Sequence, residues 1–326
     1  MKYRERRDYD GLVKWAGVCH DESAKHKDMK LSTPISTIFS SNATHALTPE
    51  TIIGPYFVAG ELIRRNVTEN QTGVPIRLDI QFIDINSCTP VPELLVDIWH
   101  ANAAGTYSGV SATAGGAGLN TTFLRGVQAT DTDGVVQFDS IFPGHYYGRA
   151  THIHVVSRLG GQILPNGTYT GGTVNHVGQL YLDQALITVV ENMEPYFRNL
   201  APLTANRQDF LTEHEATADY DPYLSYVTLT EDANDGLLLW ITIGIDTKAD
   251  HSALEVPAAT YQKGGGVTSP KQWNPLNESH WPAGKAPFPS NRPSGVIPGY
   301  PQPSFPPPSA KVTPKPWGPC MGSRGT

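Results

Sequence analysis

Residues 152–156, His-Ile-His-Val-Val, constrain the fold more than any other stretch of this chain. The isoleucine and the two valines are β-branched, so the pattern predicts a β-strand. Side chains alternate between the two faces of a strand, and His152 and His154 therefore lie on one face while Ile153 lies on the other. Two imidazoles on the same face can bind one metal ion.

Two tyrosines are further candidates for ligands of that ion. Tyr146 precedes His152 by six residues, and Tyr107 lies upstream in a Gly-Thr-Tyr-Ser-Gly segment. Phenolate is a hard, anionic donor, and a trivalent cation lowers the phenol pKa from about 10. Two phenols and two imidazoles therefore favour ferric iron, Fe(III), over zinc.

Composition and periodicity predict an all-β chain. Charged residues make up only 17% of the sequence, which contains 31 glycines and 27 prolines, as in turn-rich β proteins. Apolar residues alternate with polar ones over 75–85, and 94–99 is apolar on nearly both faces, which is typical of a central strand. Asp-Thr-Asp-Gly at 131–134 predicts a hairpin within 127–138. A second hairpin is expected between 226–230 and 237–245. These short strands predict a β-sandwich core.

Other segments are expected to be loops, short helices or extensions. We expect a loop over 103–119 that carries Tyr107, a Gly/Thr loop over 160–178, a strand over 179–182, and helices over 183–192 and within 8–20. His20 is expected to be solvated. The predicted organisation is a polar arm (1–48), a β-sandwich catalytic domain (49–263) and a Pro-rich C-terminal tail (264–326). The tail holds 15 of the 27 prolines, and Trp273, Trp281 and Trp317 are candidates to anchor it.

Charge and hydropathy exclude two classes of partner. The net charge is −7 and no basic stripe is present, which argues against nucleic acid. No apolar run is long enough to span a bilayer, which argues against membrane insertion. The sequence leaves the oligomeric state open.

Three segments of the chain resemble the intradiol ring-cleavage dioxygenases, in particular their extracellular fungal members. The segments are Gly54–Phe57, Asp97 through Tyr107, and Pro143 through His154, within about residues 50 to 245. That family opens catechols between the two hydroxyl-bearing carbons with one non-haem Fe(III). The resemblance implies the same β-sandwich class, with a small aromatic diol and O2 as the reaction partners.

The resemblance also implies a role for each candidate residue. Tyr107 would be the retained equatorial ligand, and Tyr146 the axial ligand that dissociates and accepts a substrate proton as a general base. The histidine ligands would be His152 (axial) and His154 (equatorial). Arg149 would favour negative charge during oxygen attack, and Gln179 would be a supporting residue. Tyr147 is an alternative to Tyr146, although the spacing from Pro143 favours Tyr146. The resemblance also suggests candidates for the lining of the substrate pocket, namely Tyr56, Phe57 and Val110.

Two other functions remain open. The first is a secreted β-sandwich that binds a metal or a phenolic without turnover; Arg149 and the two separate tyrosines favour the enzyme over it. The second is a zinc hydrolase that uses His152 and His154, which would need a third histidine or carboxylate ligand.

Six Asn-x-Ser/Thr sequons favour a secreted glycoprotein: Asn42, Asn66, Asn70, Asn120, Asn166 and Asn277. The first seven residues lack the hydrophobic segment of a signal peptide. Because secreted fungal relatives carry a signal before the equivalent position, we expect the true start codon to lie upstream. The three cysteines allow one disulfide plus a third cysteine that is free or lacks its partner. The alternative is a cytosolic protein with three unrelated thiols.

Overall fold

The computed structural model describes residues 10–40, 46–262, 265–275 and 277–283. Most of the ordered elements are β-strands, with a few short helices, as the sequence predicts. The helices are residues 10–15 (α1), Ile35–Ile38 (α2), Gln184–Val190 (α3) and Phe210–Glu215 (α4). The strands are Val58–Ala59 (β1), Pro75–Asp84 (β2), Thr89–Pro90 (β3), Leu95–Trp99 (β4), Arg125–Ala129 (β5), Val135–Ile141 (β6), His152–Leu159 (β7), Gln162–Ile163 (β8), Tyr169–Thr170 (β9), Thr173–Tyr181 (β10), Ser225–Thr228 (β11), Leu237–Ile245 (β12), Ala259–Gln262 (β13) and Gly265–Thr268 (β14).

Two sheets account for most of these strands. The first, called the site sheet below, has the order β10–β7–β4–β5 and is antiparallel throughout. The second, called the back sheet, has the order β11–β12–β2, with β6 and β3 along the far edge of β2. β12 and β2 run parallel. β4 is an interior strand with every residue buried, as its two-sided apolar pattern predicts.

The main hydrophobic cluster takes side chains from both sheets. Ile153 and Val155 of β7 belong to it together with Leu78 and Ile80 of β2 and Leu239 of β12, and all five are fully buried. Burying one such side chain contributes roughly 1.5–3 kcal/mol. β7 therefore has its apolar face in this cluster, and its alternation leaves both histidines on the other face.

The turn at 131–134 forms, but the predicted hairpin around it is wrong. Asp131 Oδ1 accepts hydrogen bonds from the backbone of Asp133 and Val135, and Gly134 has a φ of 71°. The strands on either side do not pair with each other: β5 pairs with β4 and β6 pairs with β2. The turn therefore connects the two sheets. Asp-Gly chemistry determines a chain reversal, but burial of the flanking side chains determines each strand's partner.

Other local predictions have mixed outcomes. The hairpin of β11 and β12 and the helix after residue 183 are confirmed. The loop predicted over 160–178 is wrong in part, since β8 and β9 pair there and β10 begins at Thr173. His20 is buried rather than solvated, with Nδ1 3.2 Å from Asp183 and Nε2 3.0 Å from Asp221. Burial alone would lower the pKa of His20, but the two carboxylates raise it to about 9.

The described part of the C-terminal region packs onto the rest of the chain. β14 pairs with β13, so the proposed boundary at 263/264 falls between two paired strands. Trp281 is buried against Ile52 and Leu211, and Trp273 packs beside them. Trp317 lies outside the described residues, and the division into arm, domain and tail stays a prediction. Among the described residues, no helix is both long and apolar enough to cross a lipid bilayer.

Candidate active site

Two imidazoles and two phenols converge beside the site sheet. His152 Nε2 lies 3.1 Å from His154 Nε2 and 3.2 Å from the Tyr146 hydroxyl. The ring of Tyr107 is 5.5 Å from that of Tyr146 and 6.1 Å from that of His154, between centroids. Four side chains from one strand and two loops thus face one small volume.

Contacts with uncharged groups orient the two histidine rings and leave ring nitrogens in a position to bind a metal ion. His152 Nδ1 lies 2.6 Å from the Ala150 carbonyl, which can only accept, so Nδ1 carries the proton and Nε2 a lone pair. Trp99, directly opposite His154 in β4, stacks on its ring at 4.6 Å with an interplanar angle of 6°. Burial, followed by the positive charge of Arg149 nearby, holds the pKa of His152 well below its usual range, and burial also lowers that of His154. Neutral imidazoles are the form that binds metal.

Tyr107 is held inside the protein by the loop that carries it. Its side chain is 2% exposed, and its hydroxyl has no hydrogen-bond partner among the described residues. Tyr56 stacks on its ring at 4.5 Å. At Gly105, where φ is +78°, a Cβ would lie 2.3 Å from the His145 carbonyl oxygen, so glycine allows the two tyrosine loops to approach each other. Burial and the Tyr146 phenol raise the pKa of Tyr107 well above 10.

Tyr146, rather than its neighbour, faces the histidines. Its ring is 5.6 Å from that of His152, whereas the Tyr147 side chain is 60% exposed. Tyr146 itself is only partly buried. Burial raises the pKa of its phenol, and the positive charge of Arg149 acts in the opposite direction. Of the two adjacent tyrosines, only Tyr146 has the position that the spacing from Pro143 predicts.

Arg149 and Gln179 also meet at this site, and Arg149 is held from three directions. Its Nε donates to Asp209 Oδ2 at 2.9 Å, and its Nη2 donates to Gln179 Oε1 at 2.5 Å and to the Tyr181 hydroxyl at 3.2 Å. Gln179 and Tyr181 lie opposite His154 and His152 in the β10–β7 ladder. The ladder register therefore places the guanidinium partners beside the two imidazoles.

Asp209 is the supporting residue that sequence reasoning missed. Besides Arg149, its side chain accepts hydrogen bonds from the backbone of Ala150 at 2.8 Å and of Leu211 at 2.9 Å, where it caps α4. Its side chain is fully buried. An Asp before a helix is a recognisable N-cap, but no local pattern shows that the same carboxylate pairs with an arginine sixty residues upstream.

The remaining candidates have structural partners instead of ligand positions. His145 lies 2.8 Å from Glu191 and 2.8 Å from the Ala201 carbonyl. His100 contacts Ser140, and burial lowers its pKa to about 4. Asp97 accepts a hydrogen bond from Tyr169 at 3.3 Å. His176 lies 3.0 Å from Glu50. None of these contacts involves one of the four converging side chains.

Comparisons with known proteins found one matching family model and several similar solved structures. The dioxygenase family model matches residues 52–160. An intradiol ring-cleavage dioxygenase from Tetranychus urticae has a similar structure, with a TM-score of 0.54 and 27% identity over 63% of this chain and 97% of that one. The crystal structure of a second dioxygenase matches with a TM-score of 0.53 and 26% identity, over 63% and 96% of the two chains. The resemblance to the intradiol ring-cleavage dioxygenases is confirmed. No curated protein sequence matches the chain significantly.

The donor set fits the iron that intradiol dioxygenases use. Within the ranges that the structure describes, no group of three or more His, Cys, Asp or Glu side chains is arranged so that it could hold a metal ion. The set reaches four only when the phenols of Tyr107 and Tyr146 are included, and phenolate is a ligand for a trivalent ion. The partnerless buried hydroxyl of Tyr107 is a polar atom that a cation would satisfy. The third protein ligand that a zinc hydrolase needs is not supplied by these side chains.

Proposed function

We propose that this chain is a non-haem Fe(III) intradiol dioxygenase that cleaves catechol-type rings with O2 to muconate-type products. The observation that carries the proposal is the convergence of two phenols and two neutral imidazoles at one site, with a partly buried, ion-paired arginine beside them. A plain metal-binding module needs neither the arginine nor two tyrosines from separate loops. Tyr107, Tyr146, His152 and His154 would hold the ion.

The bound ion would accept electron density from a chelated catechol, which overcomes the slow reaction of a singlet substrate with triplet oxygen. The chain's contribution is to orient the donors before substrate arrives. Stacking by Trp99 and the Ala150 carbonyl fix the two imidazoles, and stacking by Tyr56 fixes the Tyr107 ring.

Tyr146 is suited to act as the proton acceptor. It is partly exposed while Tyr107 is 2% exposed, so Tyr146 has room to move away when a diol needs two positions. Burial raises the pKa of its phenol, which makes its phenolate a strong base. A substrate hydroxyl proton would then pass to the phenolate oxygen of Tyr146 and leave it as a neutral phenol, a step that contributes roughly 10²–10⁴-fold in typical enzymes.

Arg149 is suited to stabilise negative charge on the substrate. Asp209 and Gln179 hold its guanidinium in one orientation, and the Asp209 carboxylate pairs with its positive charge. A positive group that is oriented in advance stabilises developing charge without reorganisation. Its charge also disfavours protonation of His152 and favours ionisation of Tyr146.

The decisive experiment is a visible absorption spectrum of the purified, Fe(III)-loaded protein, before and after addition of catechol under nitrogen. We expect a tyrosinate-to-iron charge-transfer band that shifts on addition of catechol, followed by oxygen uptake and ring-opened product in air. A protein that stays colourless with Fe(III) would overturn the ligand assignment. A band that shifts without oxygen uptake would favour the second candidate, a metal- or phenolic-binding protein without turnover.

We also propose that the two sheets form a β-sandwich and that the protein is secreted and glycosylated, as in extracellular fungal relatives. The shared hydrophobic cluster supports the first statement. All five sequon asparagines within the described ranges are exposed, which supports the second: Asn66, Asn70, Asn120, Asn166 and Asn277. Cys19 is disulfide-bonded while Cys88 is free, which suits an oxidising compartment. Expression in a eukaryotic host behind a heterologous signal should yield protein whose gel mobility increases with endoglycosidase treatment; unchanged mobility would contradict glycosylation.

A further inference from the structure

We propose that Arg125 is a positioning residue for the Tyr107 ligand: its guanidinium fixes Ser108, the next residue in the chain, through a buried hydrogen-bonded contact. This inference rests on the proposed ferric function. Arg125 lies on β5 and is not one of the six side chains that are assigned to the site. Arg125 makes no contact with the histidines in the structure, and it would act through the Tyr107 loop.

The contact between Arg125 and Ser108 is two-pronged and buried. Arg125 Nη2 donates to the Ser108 carbonyl at 2.6 Å, and Nε donates to the same carbonyl at 3.1 Å and to the Ser108 hydroxyl at 3.0 Å. The Ser108 hydroxyl donates in turn to the Phe123 carbonyl at 2.5 Å. Arg125 is 1% exposed and Ser108 is fully buried. Charge-assisted, bidentate hydrogen bonds of this kind restrict orientation as well as position.

The loop after Ser108 is built to allow this approach. Gly109 has a φ of +68°, and a Cβ there would lie 3.2 Å from Arg125 Nε and 2.9 Å from Val58 Cγ2. Glycine therefore supplies both the left-handed conformation and the space for the guanidinium. Because Tyr107 is bonded directly to the clamped residue, holding Ser108 restricts the backbone position from which the Tyr107 ring extends.

Arg125 is also joined to the strand that lies behind the two histidines. It lies opposite Trp99, the residue that stacks on His154, in the β4–β5 ladder. Glu61 Oε1 lies 3.9 Å from Arg125 Nε, so a carboxyl group faces the buried guanidinium. The clamp therefore connects the Tyr107 loop to the strand that carries Trp99.

The test uses the 326-residue chain and three variants of it. Arg125→Lys keeps the charge but loses the two-pronged contact, and Ser108→Ala removes only the hydroxyl. Arg158→Lys is the matched control, because Arg158 is 4% exposed and ion-paired with Glu255 but does not contact the Tyr107 loop in the structure. For each protein we would measure the charge-transfer band, Fe(III) affinity by chelator competition, and amide hydrogen exchange of residues 105–109 without iron.

We expect Arg125→Lys and Ser108→Ala to shift the band, weaken Fe(III) binding by roughly 10- to 100-fold and accelerate exchange at 105–109, while Arg158→Lys matches the wild type. Wild-type spectra, affinity and exchange in a folded Ser108→Ala and Arg125→Lys would overturn the inference and leave the ferric function standing. Absence of the band in the wild type would overturn the ferric function, and the exchange measurement would still decide whether Arg125 holds the loop. If Arg125→Lys does not fold, Ser108→Ala decides alone.

Discussion

Tyr107 and Tyr146 face the same pair of histidines from two loops whose surroundings differ. In the Tyr107 loop, residues 107–110 are all buried: Tyr56 stacks on the Tyr107 ring, and an added Cβ at Gly109 would clash with its neighbours. The Tyr146 loop continues into the exposed Tyr147 and into Gly148, where an added Cβ would meet no atom within 4 Å. Packing density, rather than residue type, distinguishes the two phenols.

The difference explains how identical side chains can serve different purposes. A ligand that must stay needs surroundings that resist displacement, and the interior around Tyr107 provides them. A ligand that must leave needs free volume around it, and the exposed side of Tyr146 provides that volume. Its phenolate would act as a base only after it has left the metal ion. The predictions below test this contrast, beginning with the largest effect.

The sharpest test replaces each tyrosine by phenylalanine. Tyr107→Phe should lose Fe(III) binding and the charge-transfer band together with all measurable ring cleavage, because it removes the retained ligand. Tyr146→Phe should keep a coloured ferric protein but lose about 10²–10⁴-fold in kcat, because it removes the proton acceptor. Absorption spectra and oxygen uptake measure the two effects. The contrast fails if the two variants have the same spectrum and the same residual activity.

The next largest effect is expected at Arg149, on the Tyr146 side. Arg149→Lys keeps a positive charge but cannot contact Asp209, Gln179 and Tyr181 together. We expect kcat to fall by roughly 10²–10³-fold with an intact charge-transfer band. Arg198→Lys, at a side chain that is 69% exposed, is the control and should keep wild-type kinetics. Loss of the band in Arg149→Lys would mean that the arginine supports the ligands instead of the substrate.

Asp209→Asn tests the support of that arginine. The substitution keeps the shape of the side chain but leaves the Arg149 charge without its buried partner. Breaking a buried pair in this way costs about 3–5 kcal/mol of unfolding free energy. Urea denaturation should show this loss, with a smaller fall in kcat than in Arg149→Lys. A variant as stable as the wild type would show that Arg149 is held mainly by Gln179 and Tyr181.

Glu61, on the Tyr107 side, gives the smallest expected effect. Burial raises its pKa from 4.5 to about 7, although Arg125 acts in the opposite direction. Between pH 4.5 and about 7, Glu61 keeps its proton in the folded chain but loses it in the unfolded chain. The stabilisation is complete below pH 4.5 and is lost as the pH rises through 7, by about 3 kcal/mol in total. Unfolding free energies at several pH values should decline less steeply for Glu61→Gln; parallel curves would contradict the shift.

Periodicity and short-range spacing predicted the elements better than their connections. The alternation in β2 and the His-x-His pattern of β7 follow directly from strand geometry, so the strands and the shared face of the two histidines could be read from the sequence. The Asp-Gly turn at 131–134 could not reveal that β5 and β6 join different sheets, because strand partners depend on distant side chains.

The same limit applies to the site. Tyr146 and His152 lie six residues apart and could be linked by spacing, and Tyr107 and Gln179 were placed through the resemblance. Asp209 and Arg125 could not be found in this way. Each acts on a residue far away in sequence or through a neighbour in a loop, and neither contact leaves a local pattern. Packing brings these residues together, and only the folded chain displays it.

The alternation of β7 has a consequence for how the chain matures. Ile153 lies in the main core between the two histidines that face the site, so one strand serves the core and the donor set. If His152 and His154 hold the proposed iron, the ion would bind only the folded chain and would raise its unfolding free energy by about 2.7 kcal/mol at one hundred times the dissociation constant. Chains that fold without the ion would then unfold more often than iron-loaded chains, and proteases would degrade them sooner.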